Sequence, residues 1–167
     1  MHVQVLKRFA MHPPHGVRLT LVVPEALAWY SGMVPGLVAR QVAPRDLAID
    51  AVPLARRADA TVILAAATGL DPETRQIALS GGRPPLRYDV ASFDIGATVL
   101  GDDLPGVREH ALRTRPLSRL VAALDAADAR LAGLGRAPRV VVVGAGAAGV
   151  ELACALRARL ARASPPP

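Results

Sequence analysis

The chain has 167 residues, of which 51% are hydrophobic, 20% charged and 3% aromatic. That balance excludes a disordered chain, which is poor in apolar residues and rich in charge, and it supports one domain with a core of Ala, Val and Leu. A formal charge of +6 arises from 20 Lys+Arg against 14 Asp+Glu, with Lys7 the sole lysine, and the single cysteine, Cys154, excludes a disulfide scaffold, a four-cysteine zinc site and a CxxC redox pair.

Apolar spacing predicts a helix over His2 to Met11, ended by Pro13, Pro14 and Gly16. Val17 to Val23, rich in β-branched residues, predicts a mostly buried strand. Tyr30 to Gly36 reads as a Gly/Pro loop, Leu37 to Gln41 as the start of a short helix, and Asp46 to Asp50 as extended chain. Pro53 to Ala58 reads as a helical turn. A meander of three strands follows: Thr61 to Ala67, Arg75 to Leu79 and Arg87 to Ile95, with a bend at Gly69 to Pro72 and a turn at Ser80 to Pro85. Gly101 to Gly106 reads as loop. Leu117, Leu120, Val121, Leu124, Ala127 and Leu131 recur at helical spacing, so Pro116 to Leu131 is an amphipathic helix with proline in its first turn. Gly133 to Pro138 is a linker, Val140 to Val143 a strand, and Ala147 to Ala163 a helix that Ser164 to Pro167 cannot continue.

The arginines are spread without a block of five. Trp29 and Tyr30 lie apart from any arginine run, which reads as solvated arginines and not as a nucleic-acid surface. Met1 to Ala10 has no leader pattern. The longest apolar run, Val140 to Val150, is too short for a bilayer and holds Gly144, Gly146 and Gly149. A cytoplasmic chain is expected, with peripheral membrane contact left open. His12-Pro-Pro-His15 lacks a further ligand at metal spacing and reads as a turn with exposed imidazoles, so no metal is assigned. Ser31 does not meet the GxSxG pattern. Asp102 and Asp103 read as solvated loop acids, Glu25 as a surface glutamate, and Cys154 as a buried core thiol.

The strongest local motif is Val140-Val-Val-Val-Gly144-Ala-Gly146-Ala-Ala-Gly149-Val-Glu151. An apolar β-run enters GxGxxG and a helix follows, which is the context of a dinucleotide fingerprint. Gly144 allows the tight turn, Gly146 lets the backbone approach a pyrophosphate, and Gly149 lets helix and strand pack closely. Free N–H groups at the helix N-terminus favour the anion. The alternative is a Gly/Ala helix packed tightly on a strand.

Five segments together resemble the FAD-dependent pyridine nucleotide-disulfide oxidoreductases, in particular the type II NADH dehydrogenase-like branch associated with or fused to selenide, water dikinase. They are His2-Val-Gln-Val-Leu, Tyr30-Ser-Gly-Met-Val-Pro-Gly36, Gly69-Leu-Asp71, Tyr88-Asp89 leading to Asp94-Ile-Gly-Ala-Thr98, and Val140 to Glu151. The resemblance implies an α/β chain: a partial Rossmann-like FAD-binding domain with an antiparallel meander over 1–132, then the opening β-α of an NAD(P)-binding domain over 133–167. It implies that Tyr30, Ser31, Gly32, Met33 and Pro35 lie beside the flavin. Asp94, Gly96 and Thr98 then lie on the FAD side of the crossover, and Gly144, Gly146, Gly149 and Glu151 open the NAD(P)H site. The implied activity is hydride transfer from NAD(P)H to FAD and on to an unassigned acceptor. No catalytic residue is assigned.

The family's first Gly-rich turn and the remainder of its NAD domain are not matched, so the chain is expected to be a fragment truncated at both ends. Val17 to Val23 is then expected to carry an open edge, a slot that Val140 to Val143 is a candidate to fill. Homo-oligomerisation or a complementing chain is a further expectation. The alternative function is a non-catalytic nucleotide-binding or interaction module derived from the same fold.

Overall fold

The computed structural model describes residues 2–132 and 138–163. In chain order its elements are α1 (Val3–Met11), β1 (Thr20–Val23), β2 (Leu27–Trp29), a 3-10 turn (Ser31–Met33), α2 (Val34–Val38), α3 (Pro44–Leu47), β3 (Ala48–Asp50) and α4 (Ala51–Arg57). There follow β4 (Thr61–Leu64), β5 (Ala67–Asp71), β6 (Gln76–Leu79), β7 (Leu86–Arg87), α5 (Val107–His110), α6 (Leu117–Ala132) and α7 (Ala147–Ala163). The chain forms two compact units, Met1–Ala28 with Ile49–Gly96, and Trp29–Ala48 with Ala97–Pro167. The short strands β2 and β3 pair with each other.

In the first unit β1 and β4 run parallel in the register Thr20↔Thr61 to Val23↔Leu64. Helices α1 and α4 pack on each other, and α4 packs on β4. Ala51 and Ala55 of α4, with Ala58 just past its end, make one small-residue face, which lets Leu6 of α1 and Leu21 of β1 close a core from which water is excluded. Asp50 caps α4, its Oδ1 accepting from the Val52 amide at 3.0 Å. The β1–β4 sheet has two strands, so each keeps one open edge among the described residues.

The meander pairs β5 with β6 and β6 with β7, both antiparallel. Gly69 to Asp71 belongs to β5, so the bend expected there falls later, after Asp71. Asp71 fixes that turn: its carboxylate accepts from the Glu73 amide, the Thr74 amide and, at 2.6 Å, the Thr74 hydroxyl. The Thr74 hydroxyl bond, with the backbone bonds behind it, holds the Asp71 carboxyl below the usual carboxylate range. The strand expected over Arg87 to Ile95 is only Leu86–Arg87, because β6 ends opposite it at Gln76 and the ladder has no further partner. Likewise Thr61 to Ala67 divides into β4 and the start of β5.

The second unit is mainly helical. Its core holds Val34, Leu37 and Val38 of α2, Leu47 of α3, Leu117, Leu120 and Leu124 of α6, and Ala155 of α7. The segment expected as a loop at Tyr30 to Gly36 is instead a 3-10 turn running into α2, with Pro35 in the helix's first turn, where a missing amide costs nothing. Helix α2 stops at Val38, so Leu37 to Gln41 starts no helix. Arg40 takes φ 57°, Gln41 N donates to Gly36 O at 2.8 Å, and Arg40 N donates to Leu37 O at 3.0 Å. This is a Schellman end with arginine where glycine is usual. Part of the stretch expected as extended at Asp46 to Asp50 is helical, since Pro44 opens α3 and the Asp46 carboxylate accepts from the Ala43 amide at 2.8 Å. The linker expected at Gly133 to Pro138 lies, up to residue 137, outside the described residues.

Val140 to Val143 forms no β-ladder with any described residue, against the strand expected there. It therefore does not pair with β1, and the idea that it fills the slot beside Val17 to Val23 is overturned. A strand is completed by its neighbours, and β-branched content alone supplies none. An alternation of exposure is nonetheless present: Val141 and Val143 are 76% and 95% exposed, whereas Val140 is 43% exposed and Val142 is half-buried.

Candidate nucleotide site

The glycine-rich turn is built from backbone. Gly144 has φ +110°, a conformation that a side chain rarely adopts. Helix α7 opens three residues after it, at Ala147, and its first intrahelical bond runs from Val150 N to Gly146 O at 3.1 Å. The amides of its first turn have no intrahelical acceptor. A Cβ on Gly149 would lie 2.0 Å from Gly144 O, so only glycine permits this approach of helix to turn. A Cβ on Gly146 would meet nothing within 4 Å. The turn thus presents bare backbone and free amides to open space, a donor set that fits a dinucleotide pyrophosphate. Glu151 is exposed on α7.

The other expected site residues are placed as follows. Tyr30 N donates to Leu47 O at 2.9 Å, and Met33 N donates to Tyr30 O at 3.3 Å, which fixes the 3-10 turn. The half-exposed Tyr30 ring lies over Gly32, where a Cβ would come within 2.9 Å of it. Ser31 and Gly32 are exposed, Pro35 is half-buried, and Met33 packs against the apolar core. Asp94, Gly96 and Thr98 are exposed in a stretch without regular structure, Gly96 at φ +75°. Asp94 and Gly96 belong to the first unit, whereas Tyr30 to Pro35, Thr98 and Gly144 to Glu151 belong to the second. Within the second unit, α2 and α7, the helices that follow the Tyr30 segment and the glycine turn, pack together.

Three surface readings change. Cys154 is exposed, because the buried stripe of α7 runs through Leu152, Ala155, Leu156 and Arg159 and residue 154 points away from it. Asp102 is not a solvated acid: Arg113 Nη1 donates to both its oxygens at 2.8 and 3.1 Å, and Arg108 lies 3.5 Å away. Not every arginine is solvated either. Arg159 is 6% exposed. Glu25, His12 and His15 are exposed, as expected.

Arg159 carries a further interaction network that the sequence does not announce. Its Nε donates to Asp128 Oδ1 at 2.8 Å, its Nη2 to Asp128 Oδ2, and its Nη1 to the Val38 carbonyl at 3.1 Å. Arg40 Nη2 reaches Asp128 Oδ2 at 2.5 Å. The Arg159 hydrogen bonds, supported by Arg40 and opposed by partial burial, hold the Asp128 carboxyl below the usual range. A signal was available: Asp128 falls on the apolar stripe of α6, four residues after Leu124, and Arg159 on that of α7. A charge on a buried stripe needs a partner.

The parallel pair with its helices, the antiparallel meander and the glycine turn opening a long helix define an α/β protein of Rossmann-like type. No family model matches the chain, and no curated protein matches it. Among solved structures the fold is similar to the sulfide:quinone oxidoreductase from the hyperthermophilic bacterium Aquifex aeolicus, with a TM-score of 0.58 and 14% identity over 79% of this chain. The match spans 30% of that enzyme's chain, and at this identity the likeness is one of fold. No described helix is long and apolar enough to cross a membrane.

Proposed function

We propose that the chain carries cofactor-binding parts of a FAD-dependent oxidoreductase that takes hydride from NAD(P)H. The observation that supports it best is the turn itself: Gly149 closes on Gly144 O as no other residue can, while Gly146 faces open space. In this reading Gly144, Gly146, Gly149 and Glu151 open the NAD(P)H site. Tyr30, Ser31, Gly32, Met33 and Pro35, with Asp94, Gly96 and Thr98, serve FAD. Residues 1–132 then belong to the FAD-binding part and 133–167 to the start of the NAD(P)-binding part. The electron acceptor is left unassigned.

Bound flavin supplies hydride acceptance and onward electron transfer. The chain's own residues bind and orient. The first-turn amides of α7 donate to phosphate oxygens, and the helix dipole favours their charge. Met33, anchored in the core, holds the Tyr30 turn in place. An absorbance spectrum of the folded chain with added FAD tests the reading. A perturbed flavin band that NADH bleaches is expected. NADH binding without a flavin band points to the non-catalytic nucleotide-binding module, and binding of neither rejects both.

A further inference from the structure

Two of the three segments given proposed cofactor contacts run directly into a helix. The Tyr30 turn enters α2 at Val34, and the glycine turn enters α7 at Ala147. The far ends of those two helices meet at one carboxylate. Asp128 of α6 takes a two-pronged bond from Arg159 of α7 and a further bond from Arg40, the residue at the Schellman end of α2. Arg159 also donates to Val38 O, the last helical carbonyl of α2. The guanidinium is planar and its fork is directional, so these bonds fix angle as well as distance. Two features are costly for a cluster that only adds stability. Arg159 is a buried cation, which well-packed apolar residues replace without loss in many proteins. Arg40 holds a left-handed backbone that glycine adopts freely. Strain and buried charge kept together at one point mark a place where geometry is being set.

We propose that Arg40, Asp128 and Arg159 form a positioning clamp that sets the Tyr30 turn and the Gly144–Gly149 turn at the separation a pair of cofactors needs. This rests on the function proposed above. None of the three is a catalytic residue; they act through α2 and α7.

The test separates position from stability. In D128L/R159M the buried pair becomes apolar side chains, which keeps the core filled while removing the directional tie. Thermal unfolding, NADH affinity and amide exchange of residues 144–149 are measured on the full chain. We expect a melting temperature within a few degrees of wild type, NADH affinity weakened about tenfold and faster exchange in the turn. An unchanged affinity and unchanged exchange in the folded variant would overturn the clamp while leaving the nucleotide site intact. If the double variant does not fold, R40G decides: it relieves the left-handed strain and removes one arm, so it should melt no lower than wild type yet bind NADH about threefold more weakly. Wild-type affinity in R40G would then overturn the clamp. Failure of the wild-type chain itself to bind NADH would reject the proposed function, and the clamp with it.

Discussion

Gly149 is the residue on which the glycine turn closes. Replacing it with alanine puts a methyl group 2.0 Å from Gly144 O, so α7 must move away from the turn. Overpacking of this kind costs about 1–3 kcal/mol, against a gain of about 1 kcal/mol from alanine's helix preference. G149A should therefore unfold at lower urea than wild type and lose NADH binding. Asp128 makes a second prediction. Its folded pKa is depressed by Arg159 and Arg40, so its stabilising contribution is complete above the unfolded value of about 3.9 and is lost as pH falls through the folded pKa. Melting temperature should thus fall more steeply with acid below about pH 4 in wild type than in D128N, and parallel acid limbs would exclude Asp128 as the source. Both residues were visible in the sequence to different degrees. The GxGxxG spacing announces Gly149. Asp128 looks like one more helical acid until its place on the apolar stripe of α6 is noticed, and its partner lies 31 residues away.

At the scale of elements, the long helices were legible, and the short helices and the strands less so. Helix α6 and helix α7 lie where 3.6-residue spacing and flanking prolines put them, because a helix satisfies its own backbone bonds. The 3-10 turn at Ser31 and α2 were missed because Gly32, Pro35 and Gly36 look like loop residues. Each is accommodated by a local feature: the Tyr30 ring over Gly32, proline in a first turn, and a Schellman end beyond Gly36. The strands failed differently. Arg87 to Ile95 and Val140 to Val143 have strand composition, but a strand's length is set by the ladder beside it. The valine run keeps its alternation without a ladder among the described residues, and its outward valines are exposed. An apolar, unpaired edge invites association between chains. V141K/V143K should hence lower light scattering at high protein concentration with no change in melting temperature, since neither side chain is packed. Equal scattering would place the association surface elsewhere.

For the whole molecule, composition and charge bounded the class, and the α/β architecture with its meander is what the pattern of elements foretold. The division into two compact units was not legible. The chain leaves the first unit after Ala28 and returns at Ile49, and no composition shift marks either crossing. Function at this scale rests on one claim, that the turn before α7 holds a dinucleotide. The most direct test is an NADH titration, followed by nicotinamide fluorescence, of wild type beside G146A. The methyl group of G146A meets nothing in the protein, so the fold should be untouched. Saturable binding by wild type and a loss of about tenfold or more in an equally stable G146A is the predicted result, because the added methyl then meets only the ligand. Equal binding by the two proteins, or none by a folded wild type, would contradict the account.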